Sequence, residues 1–323
     1  MTIATNVKIL SAAVKKSMKT FVVVNPSAAG GEGLRLWPAL ADDLHRAIGP
    51  FDYEFTNAAG AATLLAGQAV TQGYCRIVAV GGDGTLNEVI NGFFTSDGVP
   101  INPDVVLGCL PAGSGTDFWK TLGIRDALKP ALRILQGDRT RCCDLLRVEL
   151  VGHDGRQMVR FGCNVADVGL GGEVVSRAKR LPAWGSGFFN YLVASAMAFW
   201  QWEPTTMRIV VDGEEMTPEP LIIAIVANGQ YCGGGMWIAP EAELDDGLIN
   251  LCAIRPMAKR QFLALLPRLY GGKLGDHPAF FRRTGRQIEV AASTPLKVTV
   301  DGEVPGIVPA TFTILPKAIR IFC

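Results

Sequence analysis

An apolar run, Phe21-Val22-Val23-Val24, breaks abruptly into Asn25-Pro26-Ser27-Ala28-Ala29-Gly30-Gly31, and helical spacing resumes over about 34–48. The same order recurs twice. Arg76-Ile77-Val78-Ala79-Val80 leads into Gly81-Gly82-Asp83-Gly84 and a helix expected over about 85–94. The run 105–110 leads into Pro111-Ala112-Gly113-Ser114-Gly115 and a short helix from about Thr116, with a further helix near 126–136. Unbroken apolar runs of strand length that alternate with helices predict parallel strands covered on both faces. After about Arg141 the texture changes to short β-like runs at 144–150, 157–164, 207–211, 221–227, 248–254, 287–291, 296–300, 311–315 and 318–322. Turn clusters such as Gly152-His153-Asp154-Gly155 and Val211-Asp212-Gly213-Glu214 separate them, which predicts an antiparallel, sandwich-like β-rich domain. Helical insertions are expected near 172–202 and 257–270. The organisation expected is a tail over 1–19, an α/β domain with a parallel sheet over 20–143 and a β-rich domain over 144–323.

Composition narrows the function classes. With 49% hydrophobic and 19% charged residues among 323, the chain builds full cores and is not disordered. Its 31 Lys+Arg against 30 Asp+Glu set up no global field toward nucleic acid. The eight cysteines form no C-x-x-C pair, which fits reduced thiols in the cytoplasm; the three histidines form no H-E-x-x-H motif, so a His or Cys zinc site is not expected. The longest uncharged apolar stretch, 187–200, is shorter than the roughly 20 residues that span a bilayer. It reads as a buried helix, or as a face touching a membrane, since Arg177, Lys179 and Arg180 lie just upstream. Residues 1–19 carry Lys8, Lys15, Lys16 and Lys19 and no acid, which reads as a frayed tail or as a segment lying on anionic lipid.

The chemistry concentrates in the Gly-rich loops. Loops at the carboxyl ends of neighbouring parallel strands gather at one sheet edge, where open α/β folds bind ligands. Glycines let backbone N–H groups turn toward an anion, and a helix N-terminus adds a favourable dipole, so phosphate is the natural ligand. Thr85 and Glu88 are spaced as a capping box. Rival motifs fail: there is no G-x-x-x-x-G-K-[ST], the G-x-G-x-x-G pattern ends on Asn87 or Phe118, and Ala112 breaks G-x-S-x-G.

Taken together, Asn25-Pro26 after a strand, Gly82-Asp83-Gly84-Thr85 with Asn87-Glu88, and Pro111-x-Gly113-Ser114 resemble the diacylglycerol kinase catalytic domain. That superfamily includes bacterial lipid kinases, sphingosine kinases and ceramide kinases, with NAD kinases and phosphofructokinases as more distant relatives. The resemblance continues through Asn228-Gly229-Gln230, Gly233-Gly234-Gly235, Pro240-Glu241-Ala242 with Asp246-Gly247-Leu248, and Asp301-Gly302-Glu303. It implies an ATP-dependent, Mg²⁺-assisted lipid kinase, with nucleotide bound by the first domain and lipid by the second. Asn25, Pro26, Ser27, Ala28, Ala29, Thr56, Gly82, Asp83, Gly84, Thr85, Leu86, Asn87, Glu88 and Ser114 resemble the nucleotide-contacting positions. Glu303 matches the family's proton acceptor, with Asp83 expected to aid a catalytic Mg²⁺. Asp246, with the backbones of Glu243 and Leu248, resembles a structural Mg²⁺ site. The chain departs from the family where Thr116 replaces a usual Asn. Asp301-Gly302 is also a plain hairpin signal, as is Asp212-Gly213.

The acceptor implied is a membrane lipid of the diacylglycerol, sphingoid-base or ceramide type, met by transient association at the inner face of the membrane. An apolar slot for its tail is expected near Trp184, Phe188, Phe189 and Trp237. Alternatives are an NAD-kinase-like enzyme with a soluble acceptor and a non-catalytic nucleotide- or lipid-binding protein. Nothing in the sequence fixes the acceptor, the nucleotide or the oligomeric state.

Overall fold

The computed structural model describes residues 7–9, 18–31, 33–112, 116–124, 128–181, 187–272 and 277–323. The chain divides into one unit made of Met1–Asp144 with Pro316–Cys323, and a second made of Leu145–Leu315. The sequence boundary at 143/144 falls beside this division. The return of Pro316–Cys323 to the first unit is new.

In the first unit the parallel strands lie in the order Asp52–Phe55, Thr20–Val24, Arg76–Gly81, Val106–Pro111. The end of strand Glu303–Phe322 adds on in parallel, with Arg320 opposite Val106 and Ile321 opposite Leu107. Val22, Val23, Ile77, Val78, Leu107 and Leu110 are buried, as expected of strands covered on both faces. Helix Gly33–Ile48 turns Trp37, Leu40 and Leu44 inward at helical spacing, and Trp37 packs on Phe51, Tyr53 and Phe55. The strand Asp52–Phe55 and helix Ala61–Thr71 form a further strand–helix repeat beyond the three expected. The strand has a mostly exposed edge position and lacks an apolar run, so its signal is weak. Part of the expected tail is ordered into the sheet: Val7–Ile9 pairs antiparallel with Arg139–Arg141. Residues 1–6 and 10–17 lie outside the described residues.

The second unit is antiparallel throughout. Ile223–Ala227 lies between Val165–Gly169 and Ile249–Ile254, and Val165–Gly169 also pairs with Lys297–Val300. Gln287–Ala292 lies between Thr205–Val211 and the stretch of Glu303–Phe322 around Phe312. Period-two alternation splits the strands between two cores. Ala224 and Val226 enter one with Val168, Leu251, Ile288 and Phe312. Ile225 and Ala227 enter another with Leu170, Val174, Ala198, Phe199 and Leu265, which belong to helices Leu170–Ala178, Gly187–Gln201 and Lys259–Tyr270.

Candidate active site

In the first unit, the loops that the sequence singles out share the carboxyl edge of adjacent strands. Hydrogen bonds lock them together there: Thr56 N–H donates to the Val24 carbonyl at 2.9 Å, Asn25 N–H to Val80 at 2.9 Å, and Ala112 N–H to Gly81 at 2.9 Å. The Asn25 side chain joins two loops. Its Nδ2 donates to Thr85 Oγ1 at 2.9 Å, while its Oδ1 accepts Ser27 N–H at 2.9 Å. Pro26 and Ser27 form a turn that leads into the short 3-10 helix Ala28–Gly31.

The helix after the second loop begins at Asp83, two residues before the expected start, with Gly82 extended at its N-cap. Gly81 is required by Thr85: a Cβ at Gly81 would lie 2.3 Å from Thr85 Oγ1. The expected capping box does not form. Thr85 instead accepts from Asn25, and Glu88 reaches the neighbouring helix Ala61–Thr71, accepting Gly60 N–H at 2.9 Å and Ala62 N–H at 3.1 Å. A carboxylate there satisfies orphan amides and opposes the helix dipole, which stabilises the end of that helix. Gly84 is the second residue of the helix; Leu86 and Asn87 are buried in its body, and Asn87 accepts from Asn91 Nδ2. Asp83 Oδ2 accepts Asp117 N–H at 2.9 Å, and Asp117 Oδ1 in turn accepts from Lys120 Nζ at 2.8 Å. Thus Asn25, Thr56, Gly82, Asp83 and Thr85 come together at one sheet edge. Ser114 lies outside the described residues.

In the second unit, Glu303 follows a two-residue hairpin in which Asp301 and Gly302 both have positive φ, 47° and 83°. The Asp301 carboxylate is fixed by the amides of Cys163, Asn164 and Val165 at 2.8–3.0 Å. Glu303 is half exposed and pairs with Lys179 Nζ at 2.5 Å. On the face of the sheet under helix Leu170–Ala178, Lys297 Nζ bonds Glu173 and Ser176, and this lysine holds the Glu173 carboxyl below its usual range.

For the expected Mg²⁺ site, Asp246 and Leu248 share a turn in which Asp246 Oδ1 accepts Leu248 N–H at 2.9 Å. One carboxylate with backbone carbonyls, Glu243 included, is oxygen chemistry suited to a hard cation. Among the described residues, no group of three or more His, Cys, Asp or Glu that could hold a metal ion occurs. Asp83 offers oxygen chemistry of the same kind in the first unit.

Two features depart from the sequence reading. The first is the lining of the apolar slot expected in the second domain: a cavity of about 230 Å³ there is walled by Leu170, Val174, Ile225, Phe199 and Phe262 among others. Trp237 does not line it and stacks instead on Tyr231. Trp184 and the side chains of Phe188 and Phe189 lie outside the described residues. The second is Asp167. It pairs across strands with Ile225 and Thr299, and its Oδ2 accepts from the Thr299 hydroxyl. The residue is part-exposed as a whole, but Oδ1 is sealed from solvent with no hydrogen-bond partner among the described residues. Enclosure pushes its pKa up to about 6, against a smaller opposing effect of Thr299. Gly171 forms part of the cavity wall, and a Cβ there would lie 2.2 Å from Asp167 Oδ1. A lone Asp between Ala166 and Val168 in an apolar strand was the available signal.

Residues 19–148 match the diacylglycerol kinase catalytic domain, and residues 164–323 match the YegS C-terminal NAD kinase beta sandwich-like domain. The chain thus carries a diacylglycerol kinase catalytic domain followed by a YegS-type C-terminal domain. It is therefore a phosphotransferase of a family that uses an alcohol acceptor and a nucleotide donor. The chain is 26% identical to a diacylglycerol kinase of Staphylococcus aureus (strain MRSA252) over 302 residues, 93% of this chain and 91% of that one. It is 27% identical to the diacylglycerol kinase of Staphylococcus haemolyticus (strain JCSC1435), over 93% of this chain and 86% of that one. Among solved structures, a diacylglycerol kinase from Bacillus anthracis str. Sterne shares the fold with a TM-score of 0.69 at 19% identity, covering 94% and 96% of the two chains. Yeast NADH kinase shares it with a TM-score of 0.50 at 12% identity, covering 98% and 88%.

Proposed function

We propose that this kinase transfers the γ-phosphoryl group of ATP to a hydroxyl of a membrane lipid. The observation that carries the reading is the apolar cavity of the second unit, whose walls suit a hydrocarbon tail and offer little to a soluble, charged acceptor such as a dinucleotide. Phosphoryl transfer depends on positioning and charge neutralisation more than on covalent chemistry. The loop edge around Asn25, Thr56, Gly82 and Thr85, with Ser114, binds the triphosphate through backbone N–H groups and the N-terminus of helix Asp83–Asn91. Glu88 shapes that edge by holding the Gly60 turn. Bound Mg²⁺ would neutralise phosphate charge there, with Asp83 among the residues to hold it, and Asp246, Glu243 and Leu248 would hold a structural ion. Glu303 accepts the proton of the attacking hydroxyl, with the Lys179 ammonium paired beside it.

The test is purified protein with labelled ATP, Mg²⁺ and a panel of diacylglycerol, sphingoid base, ceramide and NAD. Label in a lipid, lost on Glu303→Gln and on Asp83→Ala, is expected. Label in NAD alone, or ATP binding with no transfer to any lipid, would overturn the proposal.

A further inference from the structure

We infer that helices Gly187–Gln201 and Lys259–Tyr270 form the surface that docks on an anionic phospholipid bilayer, an inference that rests on the lipid-kinase reading. Helix Gly187–Gln201 contains no charged residue, yet it exposes Leu192, Met197 and Trp200, the last 63% accessible. Helix Lys259–Tyr270 lies against it through the stacked rings of Phe199 and Phe262, 3.9 Å apart. Its charged residues are Lys259, Arg260 and Arg268, all exposed, and it has no acid. The Lys259 ammonium stands 4.5 Å from the centre of the Trp200 ring and bonds the Trp200 carbonyl.

Two observations select a membrane as the occupant. The charge carried by the two helices is of one sign, and it flanks an exposed Trp and aliphatic residues, the arrangement that settles at an anionic headgroup boundary. The exposed residues are also the mouth of the apolar cavity: Leu192, Trp200, Lys259 and Tyr270 line it and reach solvent. A lipid leaving the bilayer at this face enters the cavity tail-first without crossing water. Helix Gly187–Gln201 and helix Lys259–Tyr270 are both too short to span; among the described residues, no helix is long and apolar enough to cross a membrane.

Flotation with phosphatidylcholine vesicles, with and without phosphatidylglycerol, tests the inference. Wild type is expected to float with both and more strongly with phosphatidylglycerol. Met197→Glu, at an exposed position outside the cavity wall, is expected to weaken binding to both by about ten-fold or more. Arg260→Glu with Arg268→Glu is expected to abolish the gain from phosphatidylglycerol, since each basic residue near an anionic surface accounts for roughly a five-fold change. Both variants should keep the wild-type thermal midpoint and wild-type turnover of a short-chain acceptor dissolved as monomers. Wild-type flotation of the variants, or no flotation of wild type, overturns the inference. So does concentration-dependent dimerisation that Met197→Glu abolishes, because a second copy would then cover this face. Vesicle binding without transfer to any lipid would instead refute the kinase reading and leave the docking surface standing.

Discussion

Replacing Asp167 by Asn should change how stability depends on pH. Asp167 carries an ordinary carboxyl value of 3.8 when unfolded and about 6 in the fold, because burial disfavours its charged form. The native state therefore binds this proton more tightly than the unfolded chain does. The fold bears no penalty from Asp167 below the unfolded pKa. It loses stability as pH rises through the window between the two values, and above the folded pKa the loss levels off near 3 kcal/mol. Between about pH 5 and about pH 8 roughly 1.4 kcal/mol of that loss remains to develop. An amide keeps the size and the contact with Thr299 but does not ionise, so the Asp167→Asn variant should gain on wild type by that amount over the window. Urea unfolding of both proteins at the two pH values measures it. Thr299→Val, which removes the hydroxyl that favours the ionised form, should make the pH dependence steeper. A constant difference between wild type and Asp167→Asn across the window would refute the claim that burial raises this carboxyl above its ordinary value.

Other expectations follow from the first unit. Glu88→Ala removes two charge-assisted bonds to the start of helix Ala61–Thr71 and should cost about 1.5–3 kcal/mol in chemical denaturation, with Glu88→Gln milder. Gly81→Ala forces a methyl onto Thr85 and should cost roughly 1–3 kcal/mol while weakening ATP binding in calorimetry, because Thr85 then cannot keep its bond to Asn25. Asp83→Ala should stay folded and lose phosphoryl transfer, read by labelled ATP and circular dichroism together.

The parallel sheet was legible because Val22-Val23-Val24 and Ile77-Val78-Ala79-Val80 are unbroken apolar runs ended by glycine turns, a pattern with few other solutions. Asp52–Phe55 was not legible, since an edge strand needs no apolar run on its open side, and Ala61–Thr71 uses small alanines rather than a contrasted stripe. Phe280–Gly285 was masked by Arg282 and Arg283 at its centre. The two terminal runs at 311–315 and 318–322 belong to one strand, Glu303–Phe322; Pro316 reads as a break in sequence but lies where the strand passes from one unit to the other, with Lys317 N–H donating to Asp144 Oδ1 at 2.7 Å. Within the site, the loops were found by their glycines. The work of Glu88 was not, because its partners Gly60 and Ala62 are distant in sequence. Asp167 was passed over because a single acid in a strand has no motif; only its enclosure marks it.

The triplet Asp-Gly-Glu occurs at 212–214 and at 301–303, and the fold builds both the same way. Each Asp has positive φ, and each Asp carboxylate anchors backbone amides: Asp212 those of Arg286 and Gln287, Asp301 those of Cys163, Asn164 and Val165. Each Glu then meets a base, Glu214 with Arg283 and Glu303 with Lys179. Turn geometry therefore gives Glu303 no chemistry that Glu214 lacks; the difference is what each turn is attached to. Lys179 caps helix Leu170–Ala178, whose first turns supply Leu170, Gly171 and Val174 to the cavity wall, so Glu303 is tied to the element that would hold the lipid. Arg283 belongs to strand Phe280–Gly285 and ties Glu214 to that strand instead. Both ion pairs are substantially exposed, so neither Glu→Gln change should alter stability by more than about 1 kcal/mol. Glu303→Gln should lower turnover by about 10²–10⁴-fold, the range for loss of a general base, and Glu214→Gln should leave turnover intact. Equal turnover in the two variants, at equal stability, would refute the assignment of Glu303 as the base.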